Sequence, residues 1–492
     1  MEEKIQSIEP LLLVKGDVSG IQEFIFNVKS KGAARSLKSK SFFIKAISLL
    51  SANYLFKEFG VAEKDQDEYT ISISGGNFFI LLPYKKNKDE LFSKYKKANV
   101  ESLSKIGLNI VLTSTKFNIN ESYGSHLSEL NKRNATEKLK LFNDSEYKDI
   151  FSPFQNEKEN FDFSILSLKN RPSFSIEQIS DISLSITEES INFLGFKLSL
   201  LNSHSGKYKL TNTLDTFFPH EKNNQPITFE DLAGGFGKTA KLGILKMDVD
   251  NLGTYFQDVL SYQEHKKLSE LFRIFFEDIL LKLIKGKYSD SVYNIISGGD
   301  DCFFVGNWKM IIDLAIEINK EFDIYWKNNH FSFSCRKDPT ISAGIVIVNA
   351  KFPVVRFAEL AEDALLQAKL KDASVKNAMC LFNIVIRWSD WNEIKGIKAE
   401  LEKFVPNNAR SLLMNARNAV LNKKDIEKAE LSDYWKLAYY LREVRNQGKQ
   451  EDLNKILDVF EIQLNKSIDS GDVRYRYFFP IAARLLELES RQ

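Results

Sequence analysis

The pattern of apolar and polar positions along the chain repeats itself. An apolar run, Leu11–Val14, ends at Gly16-Asp17 and predicts a buried strand closing in a turn. A helix begins near Ser19–Val28, and apolar positions three and four apart predict another from Leu37 to Phe59. Tyr69–Ser74 alternates as a strand does, Gly75-Gly76-Asn77 is a tight turn, and Phe78–Leu82 is the returning strand. Helix Asp89–Ile106 and strand Asn109–Thr113 close the unit. The order then recurs: strand Leu242–Met247 ending at Asp248, a helical region from Gly253 to Ile284, strand Ser291–Ile296, turn Gly298–Asp301, and strand Phe303–Val305. Helix Ile311–Trp326, strand Thr340–Val348, helix Phe357–Leu370 and strand Ala378–Phe382 complete it.

Two units in β-α-β-β-α-β order predict an α+β chain with two ferredoxin-like palm domains, meeting around a possible pseudo-twofold interface. The expected domains are 1–115, a first palm; 116–235, an irregular middle domain; 236–385, a second palm; and 386–492, a C-terminal helical bundle. The middle segment is rich in Asn, Ser, Lys and Glu, with short alternating stretches such as Ile182–Ile186. In the tail, Ile397–Phe404, Ala409–Leu421, Tyr434–Val444 and Leu453–Leu464 have helical periodicity.

Composition narrows the class. The 492 residues are 43% hydrophobic and 27% charged, with 38 Phe to fill large cores. A net charge of +2 gives no global attraction to nucleic acid, so any basic surface is local. Cys302, Cys335 and Cys380 form no Cys-x-x-Cys pair, which argues against a disulfide framework or a cysteine zinc site. No apolar run reaches transmembrane length and no leader pattern opens the chain, so no membrane partner and a cytoplasmic location are expected.

The chemistry is concentrated in a split motif. Lys246-Met-Asp248-Val-Asp250-Asn251 ends one strand and Ser297-Gly298-Gly299-Asp300-Asp301 turns the hairpin of another. A Gly-Gly-Asp-Asp by itself is more often a plain hairpin turn. Acids at two neighbouring strand ends, about 4.8 Å apart, can instead share a cation, and Mg²⁺ favours such oxygens while leaving positions for phosphates. Paired ions activate a hydroxyl and stabilise departing pyrophosphate. Asp248, Asp300 and Asp301 are therefore the candidate catalytic and metal-binding residues. A lysine at a helix end, as in Ala368-Lys369 or Lys376-Asn377, can hold a triphosphate, although a solvated surface lysine is the blander reading.

Asp-x-Asp, Gly-Gly-Asp-Asp, Ser342-x-Gly344 and Ala368-Lys369…Lys376-Asn377, in this order, resemble the GGDEF and nucleotide-cyclase palm group. Gly16-Asp-Val-Ser-Gly-Ile-Gln-Glu-Phe-Ile-Phe26, Lys31-Gly-Ala-Ala-Arg35, Ser39-Lys-Ser-Phe-Phe43 and Thr228-Phe-Glu-Asp-Leu-Ala233 sharpen this. The chain resembles the large polymerase/cyclase subunit of type III CRISPR effector complexes, in its Csm-type branch.

The resemblance implies an antiviral enzyme that converts ATP, with Mg²⁺ or Mn²⁺, into cyclic oligoadenylate messengers when target RNA binds. It implies work inside a ribonucleoprotein with guide RNA, target RNA, a small helical subunit and a guide-end-binding subunit. Ser297, Gly298 and Gly299 match the loop against the phosphates. Asp250, Asn251, Lys369 and Lys376 are expected nearby at the nucleotide. Ser19, Gly20, Gly75 and Gly76 are candidates to line a second ATP on a non-catalytic first palm, where Asp17 is either a site residue or a turn residue. Many members carry an HD nuclease domain; none of the five histidines here precedes an aspartate, so no HD-type DNase activity is expected. Two other readings are a site that joins ATP to another acceptor, such as S-adenosylmethionine, and a scaffold without chemistry. Arg410, Arg417, Lys423 and Lys424 could face RNA or a small subunit, against the plainer reading of a solvated face. Arg474, Arg476 and Tyr475–Phe479 read as a domain contact.

Overall fold

The computed structural model describes residues 10–28, 33–118, 121–139, 161–210, 213–214, 219, 227–234, 240–329, 338–370, 376–404 and 450–489. The expected helices at 409–421 and 434–444, with Arg410, Arg417, Lys423 and Lys424, lie outside these residues.

The first sheet comprises β1 (Leu11–Ser19), β2 (Thr70–Ser74), β3 (Asn77–Pro83) and β4 (Asn109–Phe117), in the order β2-β3-β1-β4. Helices α1 (Ile21–Phe26), α2 (Ala33–Phe59), α3 (Lys88–Leu103) and α4 (Tyr123–Leu139) accompany it. Leu11 to Val14 are buried on both faces of β1, which is why that stretch reads as a continuous apolar run. Helix α4 lies beyond residue 115 yet packs on β4 and β1, so the first palm's layer continues past the expected boundary.

The middle segment is more regular than its polar composition suggests. Strands β5 (Ser173–Gln178), β6 (Ser185–Ile186), β7 (Ser190–Phe193), β8 (Phe196–Leu201) and β9 (Tyr208–Lys209) form an antiparallel sheet ordered β6-β7-β8-β5-β9. Ile191, Phe193, Leu198 and Leu200 turn inward from it. Phe163 meets Phe24 and Phe43 of the first palm, and Phe174 of β5 meets Phe42, all at the edge-on geometry favoured by aromatic rings.

The second sheet repeats the first and extends it. Its strands are β10 (Lys241–Val249), β11 (Val292–Gly298), β12 (Asp301–Asn307), β13 (Ile341–Asn349), β14 (Ala378–Leu381) and β15 (Ile384–Arg387). The order is β11-β12-β10-β13-β14-β15, with β14 parallel to β13. Even the irregularity recurs: the hairpins slip register between Thr70 and Ser72 in one palm and between Asn294 and Ile296 in the other. The helices here are α5 (Leu252–Gln257), α6 (Tyr262–Arg273, continued by π-helical turns to Tyr288), α7 (Trp308–Asn329) and α8 (Phe357–Leu370). The single helix expected over 253–284 is thus broken before Ser261, whose hydroxyl accepts from the Glu264 N–H while the Glu264 carboxylate accepts from the Leu260 N–H. Ser261 is thus the N-cap that starts a new helix, with Glu264 reaching back to the residue before it.

The palms face each other with the same elements used in both directions. Helix α1 of the first meets α8 of the second, and α5 of the second meets α4 of the first. The hairpin tips touch: a Cβ on Gly75 would lie 3.5 Å from the Gly298 carbonyl oxygen, and one on Gly299 3.5 Å from the Ser74 hydroxyl. Phe26 packs at a tilt against Phe303, with centroids 4.8 Å apart, Lys45 pairs with Glu277 at 2.7 Å, and buried Tyr123 and His265 share a hydrogen bond of 2.5 Å.

Helices α9 (Trp391–Phe404), α10 (Gln450–Ser470) and α11 (Tyr475–Glu489) pack together at the C-terminal end. Arg474 bonds Asp390 and Asp472, and Phe479 packs edge-on against Phe460, so these residues hold the C-terminal helices to one another where a contact with another domain was expected.

Candidate active site

Antiparallel pairing puts the acids together. Asp248, near the end of β10, lies directly opposite Asp301, the first residue of β12. Asp300 joins them because the Val249 N–H donates to its carbonyl at 3.1 Å. The turn between β11 and β12 needs Gly298 at φ 154° and Gly299 at φ 71°, backbone conformations that a side chain would strain.

Around the acids stand two lysines. Lys369, at the end of α8, pairs with the Asp248 carboxylate and reaches the Val249 carbonyl at 3.3 Å. Lys246, two residues before Asp248, pairs with Glu362 of α8. Gln22 of the first palm donates to the same Glu362 at 3.2 Å. Burial, then the charge of Asp300, pushes the Asp301 carboxyl up to about 7 against the opposing pull of Lys246. Burial raises Asp300 as well. Lys369 is pulled down to about 8, by burial first and then by Lys376 and Lys246.

Perturbed groups clustered at two strand ends mark a candidate functional site. Among the described residues no group of three or more His, Cys, Asp or Glu side chains stands ready to cage an ion. A partial set is what Mg²⁺ uses when it arrives with a nucleotide: one or two carboxylates, with phosphates and waters completing the shell. Asp248 and Asp301, facing each other with raised acids beside them, fit that donor set.

Several residues expected at the nucleotide have other work. Asp250 is 1% exposed and turned inward. Its carboxylate accepts from Thr340 Oγ1 at 2.8 Å, from Ser342 Oγ at 2.8 and 3.0 Å, and from the Asn377 N–H at 2.9 Å. It ties β10 to β13 and to the start of β14, which is a scaffold role. The Ser297 hydroxyl donates to the Phe276 carbonyl instead of facing the hairpin's open side. Gly20 is a left-handed turn residue, and a Cβ there would meet the Gly107 carbonyl oxygen at 2.4 Å. A Cβ on Gly76 would meet Ile21 at 2.4 Å. Tight packing thus accounts for both. Ser19 ends β1 opposite Asn109. Asn251 is left-handed at φ 55°, and its side chain accepts from Lys376 at 2.6 Å, which brings Lys376 to the rim beside Lys369. Lys246, Glu362 and Gln22 were not anticipated. Lys246 lies within the motif itself, two residues before its first acid, and the even spacing along the strand is the signal that places both on one face.

The fold and site define a twin-palm protein in which one palm is acidic and the other is not. Residues 241–380 match the model for the Cas10/Cmr2 second palm domain, and residues 10–156 match Csm1 subunit domain B. The single-strand-specific deoxyribonuclease Cas10/Csm1 (subtype III-A) of Methanocaldococcus jannaschii is 27% identical over 77% of this chain and 60% of its own length. Its Mycobacterium tuberculosis counterpart is 23% identical over 78% of this chain and 55% of its own length. The chain therefore spans a little over half the length of these relatives. The Csm1–Csm4 subcomplex of the type III-A Csm interference complex shares the fold, with a TM-score of 0.68 at 18% identity, covering 100% of this chain and 71% of that one. So does Csm1 in a Csm1–Csm4 cassette with cA4, at a TM-score of 0.68 and 18% identity over 99% of this chain and 71% of that one. The chain belongs to the Cas10/Csm1 family.

Proposed function

We propose that the chain is the nucleotidyltransferase of a type III CRISPR complex, joining ATP through 3′–5′ phosphodiester bonds into cyclic oligoadenylates under the control of target RNA. The observation that carries this reading is the Asp248–Asp301 pair with Asp300 beside it, bracketed by Lys369 and Lys376. Related Csm1–Csm4 cassettes have been solved with AMPPNP, with pppApA and with cA3, which supports the substrate and product class. The same relatives support a Csm4-type partner, with guide and target RNA completing the complex.

Divalent ions bound by Asp248, Asp300 and Asp301 would activate the acceptor hydroxyl and neutralise the departing pyrophosphate. The chain's own residues do the rest. Lys369 exchanges Asp248 for the incoming triphosphate, which frees that carboxylate. Lys376, held at the rim by Asn251, adds a second positive charge for phosphate. Glu362 pairs with Lys246 and so offsets part of its pull on Asp300 and Asp301. The second nucleotide lies against the first palm, where Asn77 and Gly76 stand in the places of Asp301 and Asp300 and supply no carboxylate.

The test is mass spectrometry of products from the assembled complex with ATP, Mn²⁺ and matching target RNA. Oligoadenylates from the wild type and none from Asp300→Ala/Asp301→Ala are expected. Undiminished product from the double variant would overturn the reading.

A further inference from the structure

The two palms correspond residue for residue around the first-strand acid. Lys15 and Asp17 of β1 occupy the places of Lys246 and Asp248 in β10, and Asn77 lies opposite Asp17 as Asp301 lies opposite Asp248. The Val18 N–H donates to the Gly76 carbonyl at 2.7 Å, as that of Val249 does to Asp300. Gly20 and Asn251 share the left-handed turn that follows. In α4, Asn131 and Lys138 stand seven residues apart, as Glu362 and Lys369 do in α8. Lys15 donates to Asn131 at 3.1 Å, and Lys138 pairs with Asp17 at 2.8 Å.

What differs is charge. The second palm sets Asp248, Asp300, Asp301 and Glu362 against two lysines. The first has lost three of those carboxylates, to Gly76, Asn77 and Asn131, and has kept both lysines. Asp17 alone cannot neutralise Lys15, 3.8 Å away, together with Lys138. The same scaffold therefore presents net negative charge in one palm and net positive charge in the other. Lys15 is enclosed, with 16% of its side chain exposed, whereas Lys138 has 40% exposed and is open to a ligand. Two half-buried cations that share one carboxylate attract anions.

We propose that Lys15, Asp17 and Lys138 form an anion site that takes a phosphate group without any divalent cation, the charge-reversed counterpart of the acidic centre. Lys138 leaves Asp17 for the phosphate, and Lys15 remains to balance the released carboxylate. The proposal deepens the reading of the first palm as a nucleotide platform, and its test does not depend on turnover.

The experiment is calorimetric titration of the full chain with pyrophosphate, and separately with a non-hydrolysable ATP analogue, in excess EDTA. Binding should persist without metal. Lys138→Ala should weaken it by about tenfold or more, the usual effect of losing one charge-assisted hydrogen bond. Asp17→Asn should tighten it by removing the competing carboxylate, and Asn77→Asp should weaken it. Lys138→Gln, with thermal melting of each variant, separates loss of binding from loss of fold. Tighter binding of the analogue than of pyrophosphate through the same lysines identifies a nucleotide; equal binding identifies a bare phosphate site. No binding in EDTA, indifference to Lys138→Ala, or a dependence on Lys369 alone would overturn the proposal. Loss of oligoadenylate synthesis with anion binding intact would count against the proposed reaction and not against this site.

Discussion

Replacing Asp250 by alanine separates two roles that one aspartate could have. The sequence places it beside the nucleotide; the structure places it under the strand ends, 1% exposed and accepting from Thr340, Ser342 and Asn377. Asp250→Ala leaves three donors facing a void. Each buried donor without a partner costs about 1–3 kcal/mol. Taking the low end, because some water can enter so near the rim, the loss is about 3 kcal/mol. For a domain of this size, that lowers the melting temperature by about 6–12 °C. Asp250→Asn keeps one acceptor oxygen and should lie between the variant and the wild type. The assay is thermal unfolding of the full chain, paired with equilibrium binding of an ATP analogue well below the variant's melting point. The expected result is a large drop in stability with affinity nearly unchanged while the fold persists. A wild-type melting curve with affinity abolished would refute the scaffold role and return Asp250 to the nucleotide.

Other outcomes follow from the same contacts. Because Asp301 is raised to about 7 in the folded chain, the native state holds a proton between about pH 4 and 7 that the unfolded chain has released, so metal-free stability should fall as pH rises through that window. Asp301→Asn should flatten the slope in melting curves taken in EDTA and raise the melting temperature most at pH 8. Tyr123→Phe leaves buried His265 without its partner across the palm interface, a cost of about 1–3 kcal/mol visible in melting and in faster hydrogen exchange of α4 and α6. Gly344→Ala would drive a Cβ to 2.4 Å from the Leu365 amide nitrogen and 2.5 Å from the Ala361 carbonyl oxygen. Backbone cannot yield as a side chain does, so α8 must shift, and oligoadenylate synthesis should fall with Lys369 while far-UV circular dichroism stays native.

Much of this architecture was legible because strands and hairpins announce themselves locally. The acids sit at a strand end and at a hairpin tip, and antiparallel pairing leaves them few places to go but opposite each other. Asp250 is buried for a definite reason. Alternation along a strand would put Asp248 and Asp250 on one face, but β10 ends at Val249 and the chain bends through Asn251 at φ 55°, which releases Asp250 from the alternation. The break before Ser261 was readable in the N-cap serine at Ser261 and was outweighed by an apolar period that runs through it. The middle sheet was obscured by strands as short as Ser185–Ile186, too brief for a period of two to show. Asn131 and Lys138 carried no motif at all; they gain meaning only when α4 is laid against β1.

The contact between the hairpin tips gives the acidic hairpin a brace from the first palm. Gly298 and Gly299 are held open at positive φ, a conformation that needs support when it carries two acids raised chiefly by burial. Gly75 and Ser74 of the first palm supply that support from the other side, while Gln22 reaches across to the Glu362 that restrains Lys246. A second acidic hairpin in the first palm would set Asp against Asp across this contact, a repulsion that Gly76 and Asn77 avoid. The loss of acids in the first palm is thus more than decay of a duplicate: it lets the two tips approach closely enough to brace the centre that remains.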